Sequence, residues 1–191
     1  MMAIELEGMA IEMPRVTGHP NRVGFRGVLT VLDEASDKPP AGARGHRVLL
    51  TRAAAQEALP SLLGMGVGYT PSFDRHDTRR KVGVITQAEI VGKNVELSGY
   101  LFGKDFPELV REMKKAGGKA GTGRGEVNCS GGVAGRVPVA QALGMSYEIA
   151  NARIADVRAR VWVLTHVTFT GAAILRRDKA AYGKTWIELD Q

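Results

Sequence analysis

The sequence predicts an α+β domain that is mainly β, with a few short helices. Several runs alternate apolar with polar or glycine residues in a way typical of strands, among them 22–32 and 95–102. Helical periodicity is confined to short stretches. The 191 residues, 44% hydrophobic and 24% charged, suit a single domain spanning 1–191.

The first half of the chain yields most of the strands. Residues 1–20 mix acidic and apolar residues around two prolines and are predicted to be an N-terminal arm. Thr51 is the predicted N-cap of a helix that Pro60 ends. Between the arm and this helix we predict, in order, a strand over 22–32, a loop over 36–45 and a short apolar run over 46–50.

A hairpin and a second helix are predicted next. Residues 81–91 form one strand or two, and 95–102 are the hairpin partner across the turn Gly92-Lys93-Asn94. Asp105 is the predicted N-cap of a helix, because apolar residues then recur at helical spacing at Phe106, Leu109, Val110 and Met113.

The C-terminal part begins with a change in composition. Residues 114–142 are rich in glycine and basic residues and are predicted to be a flexible loop. Strands are predicted over 145–149 and 161–169, and 150–160 could continue either of them. A last helix is predicted to begin near Asp178.

Charge and composition bear on whether the protein binds nucleic acid. The net charge of +6 can favour acidic partners, but most positive residues are interleaved with acidic ones and only 6% of residues are aromatic. The composition therefore does not favour nucleic-acid binding as the main function. A basic binding module stays open as a rival interpretation, using Lys114, Lys115, Lys119 and Arg124.

No metal or cofactor is predicted. The single cysteine, Cys129, lies in the glycine-rich loop and is interpreted as a spare exposed thiol, and the four histidines form no metal-binding pair. The loop matches no phosphate-binding motif. The chain shows no secretory signal and no apolar stretch long enough to span a bilayer.

Ser146 and His166 form the strongest candidate pair. Ser146 and Glu148 share one face of the strand over 145–149. If that strand pairs with 161–169 through a turn at Asp156, Ser146 faces His166 at about 5 Å. The structural alternative is a serine bound to a backbone carbonyl and a histidine filling a half-buried gap.

The order of His76, Ser146 and His166 resembles that of the capsid maturation (prohead) proteases of tailed phages and of the herpesvirus assemblins. The segment 143–148 (LGMSYE) resembles the surroundings of the nucleophilic serine, and 164–173 (LTHVTFTGAA) resembles the strand that follows. Residues 74–77 (DRHD), which precede a strand, resemble the segment of the first histidine. The resemblance covers residues 20–190.

The resemblance implies a closed antiparallel β-barrel with peripheral helices and a serine endopeptidase. Ser146 would be the nucleophile, His76 its general base and His166 the third member of the triad. Phage members usually carry a carboxylate as third member, so Glu148 and Asp156 are the alternatives. Arg176 and Arg177 resemble the arginine pair that serves the oxyanion in assemblins.

The resemblance also implies partners and a location. The substrates would be scaffold and capsid proteins, and the protease itself, cleaved inside the immature capsid in the host cytoplasm. A homodimer is expected, and no membrane association. The leading alternative is a catalytically inactive capsid-associated structural protein with the same barrel.

Overall fold

A computed structural model describes residues 18–117 and 143–190. Within these ranges eight strands form one sheet, accompanied by two α-helices and a short 3-10 helix, Leu59–Leu62. The α-helices are α1 (Arg52–Ala58) and α2 (Pro107–Gly117). The strands are β1 (Arg22–Val31), β2 (Arg47–Leu50), β3 (Gly66–Tyr69), β4 (Lys81–Val91), β5 (Asn94–Phe102), β6 (Leu143–Ile154), β7 (Val161–Arg176) and β8 (Trp186–Leu189).

The long strand β7 organises the sheet. β2 and β3 lie parallel to it along one edge, and β6 lies antiparallel along the other. From β3 the sheet continues through β4, β5 and β1 to β8 by antiparallel pairing. The predicted mainly β fold is confirmed, but the sheet is mixed. β2 and β3, which are joined by a crossover through α1, both run parallel to β7.

The sheet curls into an open half-barrel, so the predicted closed barrel is wrong. Its terminal strands, β6 and β8, approach each other without forming a ladder between the described residues. They are joined through a side chain instead, since the Met145 N–H donates to the Thr185 hydroxyl at 3.2 Å.

The core lies on one face of the curled sheet. Along β7, Ala172 and Ile174 belong to it, whereas the alternate residues Gly171, Ala173 and Leu175 face the other side. The core also contains Phe25, Leu29, Val67, Tyr69, Ile85, Leu101, Leu109, Met113, Met145 and Phe169. Each large side chain that is fully buried contributes roughly 1.5–3 kcal/mol relative to an exposed one.

Local signals predicted the first helix and the central hairpin correctly. The Thr51 hydroxyl accepts the Ala54 N–H at 3.2 Å, and the chain becomes a 3-10 helix around Pro60. β4 and β5 pair from Val91 and Asn94 outward, around a turn in which Gly92 has a φ of +59°. That left-handed conformation favours glycine.

The structure corrects both predicted ends of α2. The helix begins at Pro107, and the carboxylate of Asp105 accepts a hydrogen bond from Asn21 Nδ2 at 2.8 Å instead of capping the helix. Lys114 and Lys115 lie in its last turn, where positive charge favours the helix dipole, and not in a loop. The remainder of the predicted loop and of the N-terminal arm, 118–142 and 1–17, lies outside the described residues.

The predicted last helix is also wrong. β7 continues to Arg176, with 172–174 paired to β3 on one side and to β6 on the other, and 177–184 then form successive turns. The Tyr182 hydroxyl donates to the Val48 carbonyl at 3.0 Å, and this hydrogen bond joins the turns to β2. Burial raises the pKa of Tyr182 to about 12, so it remains a donor.

Candidate active site

The observed register of β6 on β7 separates Ser146 from His166. Ser146 pairs with Ala173, and His166 pairs with Arg153. His166 therefore lies seven positions from Ala173, which is about 23 Å of strand at roughly 3.3 Å per residue. The predicted contact is wrong because the hairpin is centred near Ala159 and not at Asp156, whereas the three register shifts largely cancel and change the pairing by only one position.

His166 and Asp156 occupy other environments. His166 Nδ1 lies 3.3 Å from Glu57 Oε1, and the Glu57 side chain is 66% exposed. An exposed pair of this kind contributes little to stability. Asp156 lies in the turn after β6, where its Oδ1 accepts the Arg158 N–H at 2.8 Å. Neither residue lines the cleft that contains Ser146.

Ser146 and Glu148 project into the same cleft. They lie two positions apart on β6 with no register shift between them, so their side chains share a face. Met145 and Tyr147, on the opposite face, pack against the core. The cleft has a volume of about 710 Å³, and His76 contributes to its wall.

Glu148 joins His76 to Lys81. Its Oε1 lies 3.4 Å from His76 Nδ1, and its Oε2 accepts a hydrogen bond from Lys81 Nζ at 2.9 Å. The Glu148 side chain is only 11% exposed, compared with 26% for His76 and 31% for Lys81. The carboxylate is thus partnered at both oxygens in a partly desolvated position.

The electrostatics of the cleft keep Glu148 ionised. Burial raises the pKa of Glu148, but hydrogen bonds from His76 and Lys81, together with their charges, outweigh burial and hold that pKa below its ordinary value. An ionised carboxylate only accepts hydrogen bonds, so His76 Nδ1 must be the donor. In neutral His76 this leaves Nε2 as the unprotonated nitrogen, able to act as a base.

Gly171 and Gly66 leave the space for this ion pair, and a third glycine, Gly68, lies beside it at an ordinary contact distance. A Cβ on Gly171, which pairs with Glu148 across the ladder, would lie 2.8 Å from Glu148 Oε2 and 3.2 Å from Lys81 Nζ. A Cβ on Gly66 would lie 2.8 Å from Lys81 Cδ, and one on Gly68 would lie 3.6 Å from Glu148 Oε1. The ion pair therefore lies directly over the backbone of β3 and β7.

The loop before β4 positions His76. Phe73 is buried with its N–H bonded to the Thr70 carbonyl at 2.9 Å, and its own carbonyl accepts the Arg176 N–H at 2.8 Å. The Thr70 hydroxyl donates to the Arg75 carbonyl at 3.3 Å. Phe73 has a φ of +51°, a conformation that costs free energy for a bulky residue and persists only where its surroundings enforce it.

Ser146 and His76 line the same cleft but form no hydrogen bond with each other in the described part of the chain. Catalytic hydrogen bonds are often long in a free enzyme and tighten when substrate binds. The assignment of these two residues as nucleophile and base stays a prediction.

Arg176 and Arg177 do not line the cleft. Arg176 Nε lies 3.3 Å from Asp178 Oδ1, and Arg177 Nε donates to the Thr185 carbonyl at 3.1 Å. Both guanidinium groups thus contact the turns that follow β7.

Sequence reasoning missed Lys81. In the sequence, Lys81 stands out only as the first residue of a predicted strand. One signal in the sequence could have identified Lys81. It lies five residues after the candidate base His76, at the start of the strand that follows the His76 loop. Within the described ranges, no group of three or more His, Cys, Asp or Glu side chains could hold a metal ion. None of the helices described is long and apolar enough to cross a membrane.

Comparison with known proteins assigns no family to the chain. No protein-family model matches it, and no curated protein matches its sequence.

Proposed function

We propose that the protein is a serine endopeptidase in which Ser146 is the nucleophile, His76 the general base and Glu148 the third member. The observation that carries the proposal is the pairing of Glu148 with His76 Nδ1 in the cleft that Ser146 also lines. Glu148 replaces His166 in this role, because His166 lies far along β7.

The chemistry follows from these positions. His76 Nε2 takes the proton of the Ser146 hydroxyl as the oxygen attacks a peptide carbonyl carbon, and the resulting imidazolium returns that proton to the leaving amine. Water then attacks the acyl-serine by the same route and regenerates the hydroxyl. The negative charge of Glu148 stabilises the imidazolium, which a neutral histidine would do less well.

The cleft suits a polypeptide substrate. Its volume of about 710 Å³ is large enough for several side chains, and part of its wall is apolar. Residues of that wall are Pro39, Pro40, Ile149, Ile154, Trp162 and Leu164. On the resemblance given above, the substrates would be scaffold and capsid proteins, cleaved during phage capsid maturation by a homodimeric enzyme.

The alternative is a structural capsid-associated protein that has the same fold and no activity. The missing hydrogen bond between Ser146 and His76 in the described residues favours it. The two functions differ in whether Ser146 is activated.

Labelling with a fluorophosphonate probe tests the proposal. We expect the wild type to be labelled, and both Ser146→Ala and His76→Ala to lose labelling, because the probe reacts only with an activated serine. Ser98→Ala and His166→Ala, which change residues outside the cleft, are the matched controls and should retain labelling. Mass spectrometry locates the modified residue.

A folded wild type that is not labelled, even at high protein concentration, would support the structural alternative. Labelling that survives Ser146→Ala would mean that another residue is the nucleophile.

A further inference from the structure

Lys81 contacts the candidate triad but lies on a different strand from Glu148 and Ser146. Its Nζ donates to Glu148 Oε2 at 2.9 Å, while the other oxygen of the same carboxylate faces His76. Lys81 is the first residue of β4, directly after the loop that carries His76. A single carboxylate therefore connects the base to a fixed cation.

The fold leaves room for this arrangement. Side chains at Gly66 and Gly171 would collide with the stem or the ammonium group of Lys81. Lys81 is paired with Gly68 on β3, so its backbone position is fixed by the sheet. The lysine side chain therefore extends over these glycines towards Glu148.

We propose that Lys81 is a positioning residue that orients the Glu148 carboxylate for His76; this inference rests on the proposed function. With Oε2 bound to Lys81, the carboxylate cannot rotate freely and presents Oε1 to His76 Nδ1. Lys81 transfers no proton and does not touch the substrate. It acts through Glu148.

The charge of Lys81 has a second effect on the site. His76 and Lys81 are the charged groups whose hydrogen bonds and charges offset the burial of Glu148. Without Lys81, only His76 would oppose that burial, and the pKa of Glu148 would rise. The support that the ionised carboxylate gives to His76 would then be lost at a higher pH as the solution is acidified.

The experiment compares labelling rates of the full chain across pH. We expect Lys81→Met to be labelled about tenfold more slowly or worse at neutral pH, because misplacement of a catalytic group is costly. As the solution is acidified, the labelling rate of Lys81→Met should also begin to fall at a higher pH than the labelling rate of the wild type. Lys81→Arg keeps the charge and should recover part of the rate. Lys93→Met, at an exposed turn, is the matched control and should behave as wild type.

A double-mutant cycle separates positioning from a purely structural role. If Lys81 acts through Glu148, Lys81→Met should have no further effect on the rate in a Glu148→Gln background. Additive losses in the two variants would overturn the proposal. If Lys81→Met does not fold, Lys81→Gln replaces it in the same comparison.

The outcomes distinguish the two proposals. No labelling of the folded wild type overturns both. A wild type that is labelled at Ser146, with a Lys81→Met variant of equal rate and identical pH profile, overturns only the role of Lys81.

Discussion

Glu148 has an unusual position for a carboxylate, since it is mostly buried and bonded on both oxygens. It faces a histidine and a lysine at once. Its ionisation therefore affects the stability of the protein as well as the chemistry of the cleft.

This position predicts a pH-dependent contribution to stability. Because the folded state lowers the pKa of Glu148 below its ordinary value of 4.5, its carboxylate stabilises the fold above that pH. The contribution is lost as the pH falls through the folded pKa. We expect the difference in unfolding free energy between wild type and Glu148→Gln to be greatest near neutral pH and to shrink below pH 4.5.

Urea unfolding across pH measures this difference. Glu89→Gln, at an exposed position of β4, is the control for the substitution itself. A difference that stays constant from neutral to strongly acidic pH would contradict the prediction.

At the scale of elements, the β6–β7 hairpin shows where prediction from sequence stops. Alternation identified both strands, and it also placed Ser146 and Glu148 on one face, because that relation is local. The register depended on the turn, and 155–160 contain no glycine or proline to locate it. Register shifts, which leave no clear pattern in sequence, changed the pairing by only one more position.

The contact between Glu148 and His76 was not predicted for a related reason. The resemblance placed the third member of the triad at His166 and kept Glu148 as an alternative. The contact between Glu148 and His76 joins residues 72 positions apart, and no local pattern contains it. It depends on the loop before β4, which the fold brings to the end of β7.

The hydrogen bond from Thr70 in the loop before β4 can be tested by substitution. Thr70→Val removes the hydroxyl that bonds the Arg75 carbonyl, next to His76, and leaves this carbonyl without that donor. We expect a loss of about 1 kcal/mol in stability and slower labelling of Ser146. Thr86→Val, on the exposed part of β4, should change neither. Equal labelling rates for both variants would show that this bond does not position His76.

At the scale of the whole molecule, the sheet is a half-barrel whose end strands meet through Thr185. The mainly β architecture was predictable from alternation and turn residues. Whether the sheet closes into a barrel was not predictable, because closure depends on how far the two ends of a curled sheet approach each other.

Removal of the Thr185 hydroxyl is expected to lower the stability of the protein. Thr185 is fully buried, accepts the Met145 N–H and donates to the Tyr182 carbonyl at 2.9 Å. Thr185→Val leaves the Met145 N–H without this acceptor, whereas the Tyr182 carbonyl still accepts the backbone N–H of residue 185 at 3.3 Å. We expect the variant to cost roughly 1–3 kcal/mol in urea unfolding.

Thr30→Val is the matched control. Thr30 is equally buried, but among the described residues its hydroxyl has no hydrogen-bond partner. Its removal should be nearly neutral or stabilising. Similar losses in both variants would show that Thr185 does not join the sheet ends through its hydroxyl.

The glycines under the ion pair have a consequence for relatives of this protein. Gly66 and Gly171 hold no functional group, yet a methyl group at either would occupy the space of Lys81 or Glu148. A homologue could therefore keep the serine, the histidine and the glutamate and still have a displaced carboxylate. Active and inactive members of a lineage would then differ at positions that catalytic motifs do not include.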